Sequence, residues 1–292
     1  MRSPAASPSS SRKSSAERRR GRQVSANARI LTLPDVQSRP DGRALGIEAA
    51  GIRNVRSPVT ILAGGAPIAT VATFTLSVGL AAVERGAHMS RFIELLESLA
   101  GPLDQRDFRS LLFDMLRRLG ADSGEIEMRF PYFVTKTAPV SQVPSALDYE
   151  VCWRGRVTGR SEYSFSMQVL VPATSLCPCS KEISAYGAHN QRSIIRIDVE
   201  LADDMAIEGL LGIAERSASC EVYGLLKRAD EKFVTERAYN NPKFAEDLVR
   251  DVALELNREP RVRAYVVEAE NFESIHNHSA FARISRLSPV ES

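Results

Sequence analysis

Apolar and polar positions follow two different periods along this chain. From Val71 to Leu80, Phe74, Leu76, Val78 and Leu80 alternate with Thr75, Ser77 and Gly79, which predicts a strand with one buried face. Ile47 to Leu62 reads as the strand before it, with Gly64-Gly65 as a turn. The period then lengthens. Phe92, Leu95, Leu96 and Leu99 share one helical face after Ser90, the expected N-cap, and Gly101-Pro102 stops that helix. Phe108, Leu111, Leu112, Met115, Leu116 and Leu119 predict a second helix, closed by Gly120. Strands near 124–137 and 146–155 complete the first half.

The second half repeats this order. Tyr163, Phe165, Met167 and Val169 alternate in one strand, and Ile195, Ile197, Val199 and Leu201 in the next. A short helix is expected over Ile207 to Ala214. A longer one carries Phe244, Leu248, Val252 and Leu256 at i+4 spacing, with Pro242 in its first turn. Strands near 261–270 and 280–287 end the chain. The fold class expected is α+β: two tandem ββααββ modules, over 31–157 and 158–292, with helices on one face of antiparallel sheets. Residues 1–30 stand apart. They are rich in Ser, Arg, Ala and Pro, carry a charge of about +7, and are expected to be a disordered basic tail. No apolar face recurs there at helical spacing, so a solvated extension is preferred to a transit peptide.

Composition narrows the function classes. The net charge of +2 conceals a body of about −5 once the tail is set aside, so no nucleic-acid footprint is expected. No apolar run approaches the roughly twenty residues of a membrane span. Four cysteines in 292 residues form no disulfide framework, and Cys177-Pro-Cys179 is too closely spaced for an easy bridge, which favours a reducing, cytoplasmic setting.

Candidate chemistry concentrates between two strands. Thr174 to Ser193 reads as one long loop holding Cys177, Cys179, Lys181, Glu182, His189 and Arg192, and long loops in compact domains usually bind something. Cys177 and His189, with His276 of the Ser274-Ile-His-Asn-His278 segment, suit a borderline divalent ion such as zinc, and also manganese or iron. Cys179 reads as support, and Cys152 and Cys220 as buried small hydrophobes. His276 and His278 alternate, so in an extended segment only one faces inward. Glu231 reads as a loop acid without structural duty, hence a candidate ligand. Glu246 and Asp247 fall near a positive helix end, where they either complement the dipole or accept hydrogen bonds from a heterocycle. His88, Ser90 and Arg91 fall at another helix start, where anions bind readily.

Several segments together resemble one family. Leu33-Pro-Asp-Val-Gln37, Gly86-Ala-His-Met-Ser-Arg-Phe92, Pro178-Cys-Ser-Lys-Glu-Ile-Ser184, Tyr186-Gly-Ala-His-Asn-Gln-Arg-Ser193, Cys220-Glu-Val-Tyr-Gly-Leu-Leu-Lys227 and Asn241-Pro-Lys-Phe244 resemble the type IB GTP cyclohydrolase I enzymes from about residue 31 to the C-terminus. Ala87 departs from the expected Thr. The resemblance implies a tunnelling fold (T-fold), a homotetramer with active sites between subunits, and metal-dependent conversion of GTP to 7,8-dihydroneopterin triphosphate and formate, the entry to pterin and tetrahydrofolate biosynthesis. Carried over by motif, Cys177, His189, His276 and Glu231 are the implied metal ligands, with Glu221 competing for the place of Glu231. Cys177 and His189 are the implied catalytic pair and Glu246 the purine anchor. Lys181, Arg192 and Arg91 are candidate triphosphate contacts. Two other readings are a tunnelling-fold nitrile reductase that uses Cys177 as a covalent nucleophile, and a non-catalytic binding module.

Overall fold

A computed structural model describes residues 35–37, 39–159 and 162–287 of the chain. The tail expected over residues 1–30 lies outside the described residues. From Gln37 onward the chain is one compact unit. Its frame is a nine-stranded antiparallel sheet in the order β1-β2-β3-β4-β5-β6-β8-β9, with the two-residue β7 paired to β5. The strands are β1 (Ile47–Ala63), β2 (Ala66–Leu80), β3 (Gly124–Thr137), β4 (Pro144–Thr158), β5 (Glu162–Leu176), β6 (Asn190–Leu201), β7 (Cys220–Glu221), β8 (Val262–Phe272) and β9 (Ser279–Arg286).

Register explains why the alternating pattern is so regular. Phe74, Met128, Trp153, Met167, Val199 and Tyr265 are paired strand to strand and form one buried row across six strands. Cross-strand pairs of this kind hold a sheet, and a slip of one residue would turn the whole row to the other face. The helices cover this row. They are α1 (Met89–Glu97), α2 (Gln105–Leu119), α3 (Pro178–Ile183), α4 (Ile207–Ser217), α5 (Arg228–Asn240) and α6 (Ala245–Arg258). Phe108 of α2 meets the Trp153 and Phe165 rings edge-on at 5.8 and 5.9 Å. Asp104 caps α2 by accepting the Asp107 N–H at 2.8 Å, and Gly120 ends it at φ 69°, a conformation that glycine adopts without a Cβ penalty.

Four local expectations need correction. The segment 174–193 is not one loop. Thr174–Leu176 continue β5 and pair with Arg192–Asn190, and Pro178 opens the short α3 with Cys177 as its N-cap. Residues 228–240 form a helix that periodicity does not reveal, since only Asp230 and Ala238 are buried in it. A carboxylate holds it instead. Asp230, fully buried, accepts N–H groups of Val140, Ser141 and Lys227 at 2.8 Å each and the Ser141 hydroxyl at 2.6 Å. Burial alone would raise its pKa, but these four donors hold it well below the usual carboxylate range. The next helix starts at Ala245, later than Pro242, with Phe244 as N-cap and its N–H accepted by Asp247 at 3.0 Å, while the Asn241 amide donates to the carbonyls of Ala218 and Ser219 at 2.9 and 3.3 Å. Finally, His88 rather than Ser90 occupies the N-cap of α1.

Candidate active site

The ends of β5, β6 and β8 converge on the Cys177–His189 connection. Leu176 pairs with Asn190, and the Cys177 N–H then donates to the His189 carbonyl at 3.2 Å, so the two residues face each other across the mouth of the hairpin. Leu176 is pinned on both sides: its N–H donates to Ser219 Oγ at 3.2 Å, and its carbonyl accepts the Lys243 N–H at 3.1 Å. The half-buried Cys177 sulfur accepts the Ser180 N–H at 3.4 Å. The His189 ring is only 14% exposed; Nδ1 lies 3.1 Å from Ser274 Oγ, and Nε2 lies 4.0 Å from Glu273 Oε2. Glu273 Oε1 accepts the Gln191 amide N–H at 3.2 Å.

The other sequence candidates are less close. His276 and His278 are exposed, and their rings stack at 5.0 Å and 15° rather than facing opposite ways, because residues 274–278 bend instead of extending. Glu231 is a helix residue, in the first turn of α5, exposed and without a side-chain partner among the described residues. Glu221 is committed elsewhere: its Oε1 accepts from the Tyr223 hydroxyl at 2.6 Å and from Arg237 at 2.9 Å. Burial would raise the Glu221 pKa, but Tyr223 and the Arg237 and Lys136 cations outweigh it and lower it. Lys181 donates to the Tyr239 carbonyl at 2.5 Å, at the C-terminal end of α5, and lies over that ring. Arg91 donates to the Arg118 carbonyl at 2.9 Å, joining α1 to the end of α2. Arg192 is exposed on β6, on the face away from Gln191 and Ser193. Glu246 is exposed in the first turn of α6 and forms no hydrogen bond or ion pair among the described residues.

Among the described residues, no three His, Cys, Asp or Glu side chains stand close enough together to hold an ion. The donor types nevertheless fit one: Cys177 and His189 are joined through their backbones, and the Glu273 carboxylate lies 4.0 Å from the His189 ring. Cavities of about 840 and 570 Å³ lie elsewhere on the molecule and include neither Cys177 nor His189. Sequence reasoning missed Glu273, Ser274, Gln191 and Tyr239. Glu273 had a signal, standing three residues before His276 in a segment already rich in donors.

A family model described as type I GTP cyclohydrolase folE2 matches residues 33–282. The chain belongs to this family. It is 57% identical over 261 residues to the GTP cyclohydrolase FolE2 of Cupriavidus necator, covering 89% of this chain and 97% of the relative. It is 60% identical over 257 residues to that of Burkholderia thailandensis, covering 88% and 95%. Among solved structures, a uricase from Arthrobacter globiformis overlays 85% of this chain and 96% of its own at 10% identity, with a TM-score of 0.49, too slight a likeness to carry an argument. Every candidate named above lies inside the span matched by the GTP cyclohydrolase folE2 model. No helix among the described residues is long and apolar enough to cross a membrane.

Proposed function

We propose that this chain converts GTP and water to 7,8-dihydroneopterin triphosphate and formate at a centre built around Cys177 and His189. That it is a GTP cyclohydrolase follows from membership of the family at 57–60% identity over nearly the whole length of the relatives. The observation that best supports the site is the pairing of Cys177 and His189 across the β5–β6 hairpin, with Glu273 beside the imidazole.

The ligands we assign to a divalent ion (zinc, manganese or iron) are Cys177, His189, His276 and Glu231. Glu231 is preferred to Glu221 because Glu221 is already paired with Arg237 and Tyr223, whereas Glu231 is uncommitted. His276 would join from the bent 274–278 segment. When bound, the ion supplies Lewis acidity that activates water for attack on a poorly electrophilic ring carbon, C8 of guanine. The remaining chemistry belongs to the chain. Ser274 and Glu273 flank the His189 ring and orient it, and a neighbouring imidazole free of the ion would move the proton as the imidazole ring of the base opens and formate leaves. Glu246 accepts the guanine N–H groups through its two carboxylate oxygens, a role open to it because Asp247, not Glu246, caps α6. Lys181, Arg192 and Arg91 are proposed to meet the triphosphate. For Lys181 and Arg91 this means exchanging a backbone carbonyl for a phosphate oxygen.

The order β-β-α-α-β-β, followed by a second pair of hairpins around α3 to α6, supports two joined modules, 31–157 and 158–292, of a tunnelling fold. A homotetramer with active sites between subunits is supported by the exposed apolar residues around the site: Ile183, Tyr186, Phe272, Ile275 and Phe281 are 46% to 101% exposed. Four free cysteines support a cytoplasmic enzyme. The test is direct: incubate the protein with GTP and follow formate release and pterin fluorescence. Formate without GTP consumption, or GTP hydrolysis to GDP alone, would overturn the reading.

A further inference from the structure

Immediately behind the Cys177–His189 pair, the helix-facing side of the sheet turns from apolar to polar while staying buried. Ser175 and Ser193 are 0% exposed, Asn271 2% and Gln191 7%, and they come from the ends of β5, β6 and β8. Three of them are joined. The Ser193 hydroxyl donates to Asn271 Oδ1 at 2.7 Å, and the Ser175 and Ser193 oxygens are 2.7 Å apart. Since Ser193 gives its proton to Asn271, Ser175 is the donor to Ser193. A satisfied network across three strands locks their registers against one another. Those are the strands whose ends carry Cys177, His189 and Glu273.

Gln191 is the next polar residue toward the mouth, opposite Ser175 in the ladder. Its amide N–H holds Glu273 Oε1 at 3.2 Å, while Glu273 Oε2 lies 4.0 Å from His189 Nε2. Gln191 Oε1 is buried and has no partner among the described residues. Buried amide oxygens are rarely left without a donor in a residue kept only for packing. Leucine or methionine would fill the same space without that cost.

We propose that Gln191 is a positioning residue of the active site. It fixes the Glu273 carboxylate against the His189 ring, and the Ser175–Ser193–Asn271 network holds the strand that carries it. Ser274 Oγ lies 3.1 Å from Nδ1, and the Glu273 carboxylate stands 4.0 Å from Nε2, so Gln191 bears on the orientation of His189 through one intermediary. The inference rests on reading this site as the cyclohydrolase centre.

Gln191→Met tests it, because Met matches the length of Gln and cannot donate to Glu273. With zinc-loaded protein, kcat for formate release is expected to fall about 10- to 100-fold while the KM for GTP stays within about threefold. The melting temperature is expected to stay within about 3 °C, since one partly satisfied amide is exchanged for an apolar chain of equal size. Gln191→Asn, which stays polar but draws the amide back by one methylene, is expected to lose kcat in the same way and serves if the Met variant does not fold. Either folded variant retaining kcat within about twofold overturns the inference, as does a loss that only tracks the unfolded fraction. If the wild-type protein releases no formate from GTP, the cyclohydrolase reading fails and this inference falls with it. If the wild type is active and Gln191→Met equals it, only the inference falls.

Discussion

Glu246 and Asp247 are neighbours in the first turn of α6, yet the fold uses only Asp247, whose Oδ2 accepts the Phe244 N–H at 3.0 Å. Asp247→Ala is therefore expected to cost about 1 kcal/mol in urea unfolding, the usual loss of a helix cap, and to leave the KM for GTP near its wild-type value. Glu246→Ala is expected to do the reverse: an unchanged unfolding midpoint, with kcat/KM for GTP lowered at least about 100-fold, or about 2.7 kcal/mol of transition-state binding. A cyclohydrolase that tolerates Glu246→Ala has no purine anchor there. The cysteines divide in a similar way. Burial, with the nearby Glu127 carboxylate, pushes the Cys152 thiol up to about 12, and burial with Glu221 pushes Cys220 to about 11. Both stay protonated below those values, whereas Cys179 is exposed. Iodoacetamide at about pH 8 is expected to label Cys179 and spare Cys152 and Cys220, because only the thiolate reacts. Peptide mass spectrometry finding Cys152 labelled as fast as Cys179 would contradict that burial.

The elements divide by what holds them. Strands β1 to β6, β8 and β9 and helices α1, α2, α4 and α6 were legible in the sequence because each turns an apolar face to the core, only partly buried in β9, and such a face leaves a period of 2 or 3.6. Helix α5 was illegible because Asp230 fastens it through backbone donors 89 and 90 residues away in sequence or at its own start, which no local pattern records. The proposed ligands Cys177, His189, His276 and Glu231 stand out in the sequence as residue types, but Glu231 was read as a loop acid for the same reason. Gln191 and Glu273 come together only through strand pairing, so spacing alone could not join them. A second long-range device fastens α4. Glu215 Oε1 accepts from Lys136 Nζ at 2.7 Å and from the Tyr149 hydroxyl at 2.6 Å. The Lys136 side chain is only 11% exposed, so Glu215→Ala would leave a buried cation with the Val222 carbonyl and the Tyr223 ring but without its carboxylate. Its expected cost is about 3 kcal/mol in urea unfolding, whereas a change below about 0.5 kcal/mol would mean that Lys136 escapes to solvent.

At the scale of the molecule, the sheet ends in β9 and in β1, whose outer side is met by a short bridge from Leu103 to Ile61. Long open edges invite pairing with another chain. With the apolar rim around Ile183 and Tyr186, they underlie the proposed tetramer. Light scattering is expected to give four chains per particle, and Tyr186→Asp to shift the particle toward smaller species with a parallel loss of turnover. A fully active monomer would rule out shared sites. This level was beyond periodicity, which yields elements and faces but not what covers an open edge; the tunnelling fold and the tetramer came from resemblance. The central claim is that Cys177 and His189 work as ligands of a catalytic divalent ion. Turnover of GTP should be measured on one preparation stripped with chelator and then reloaded with zinc, manganese or iron(II), beside Cys177→Ala treated identically. The expected result is no formate or pterin from the stripped enzyme, recovery on reloading, and neither bound metal nor turnover in Cys177→Ala. Full activity after complete chelation, or a Cys177→Ala enzyme that keeps its metal and its rate, would contradict the claim.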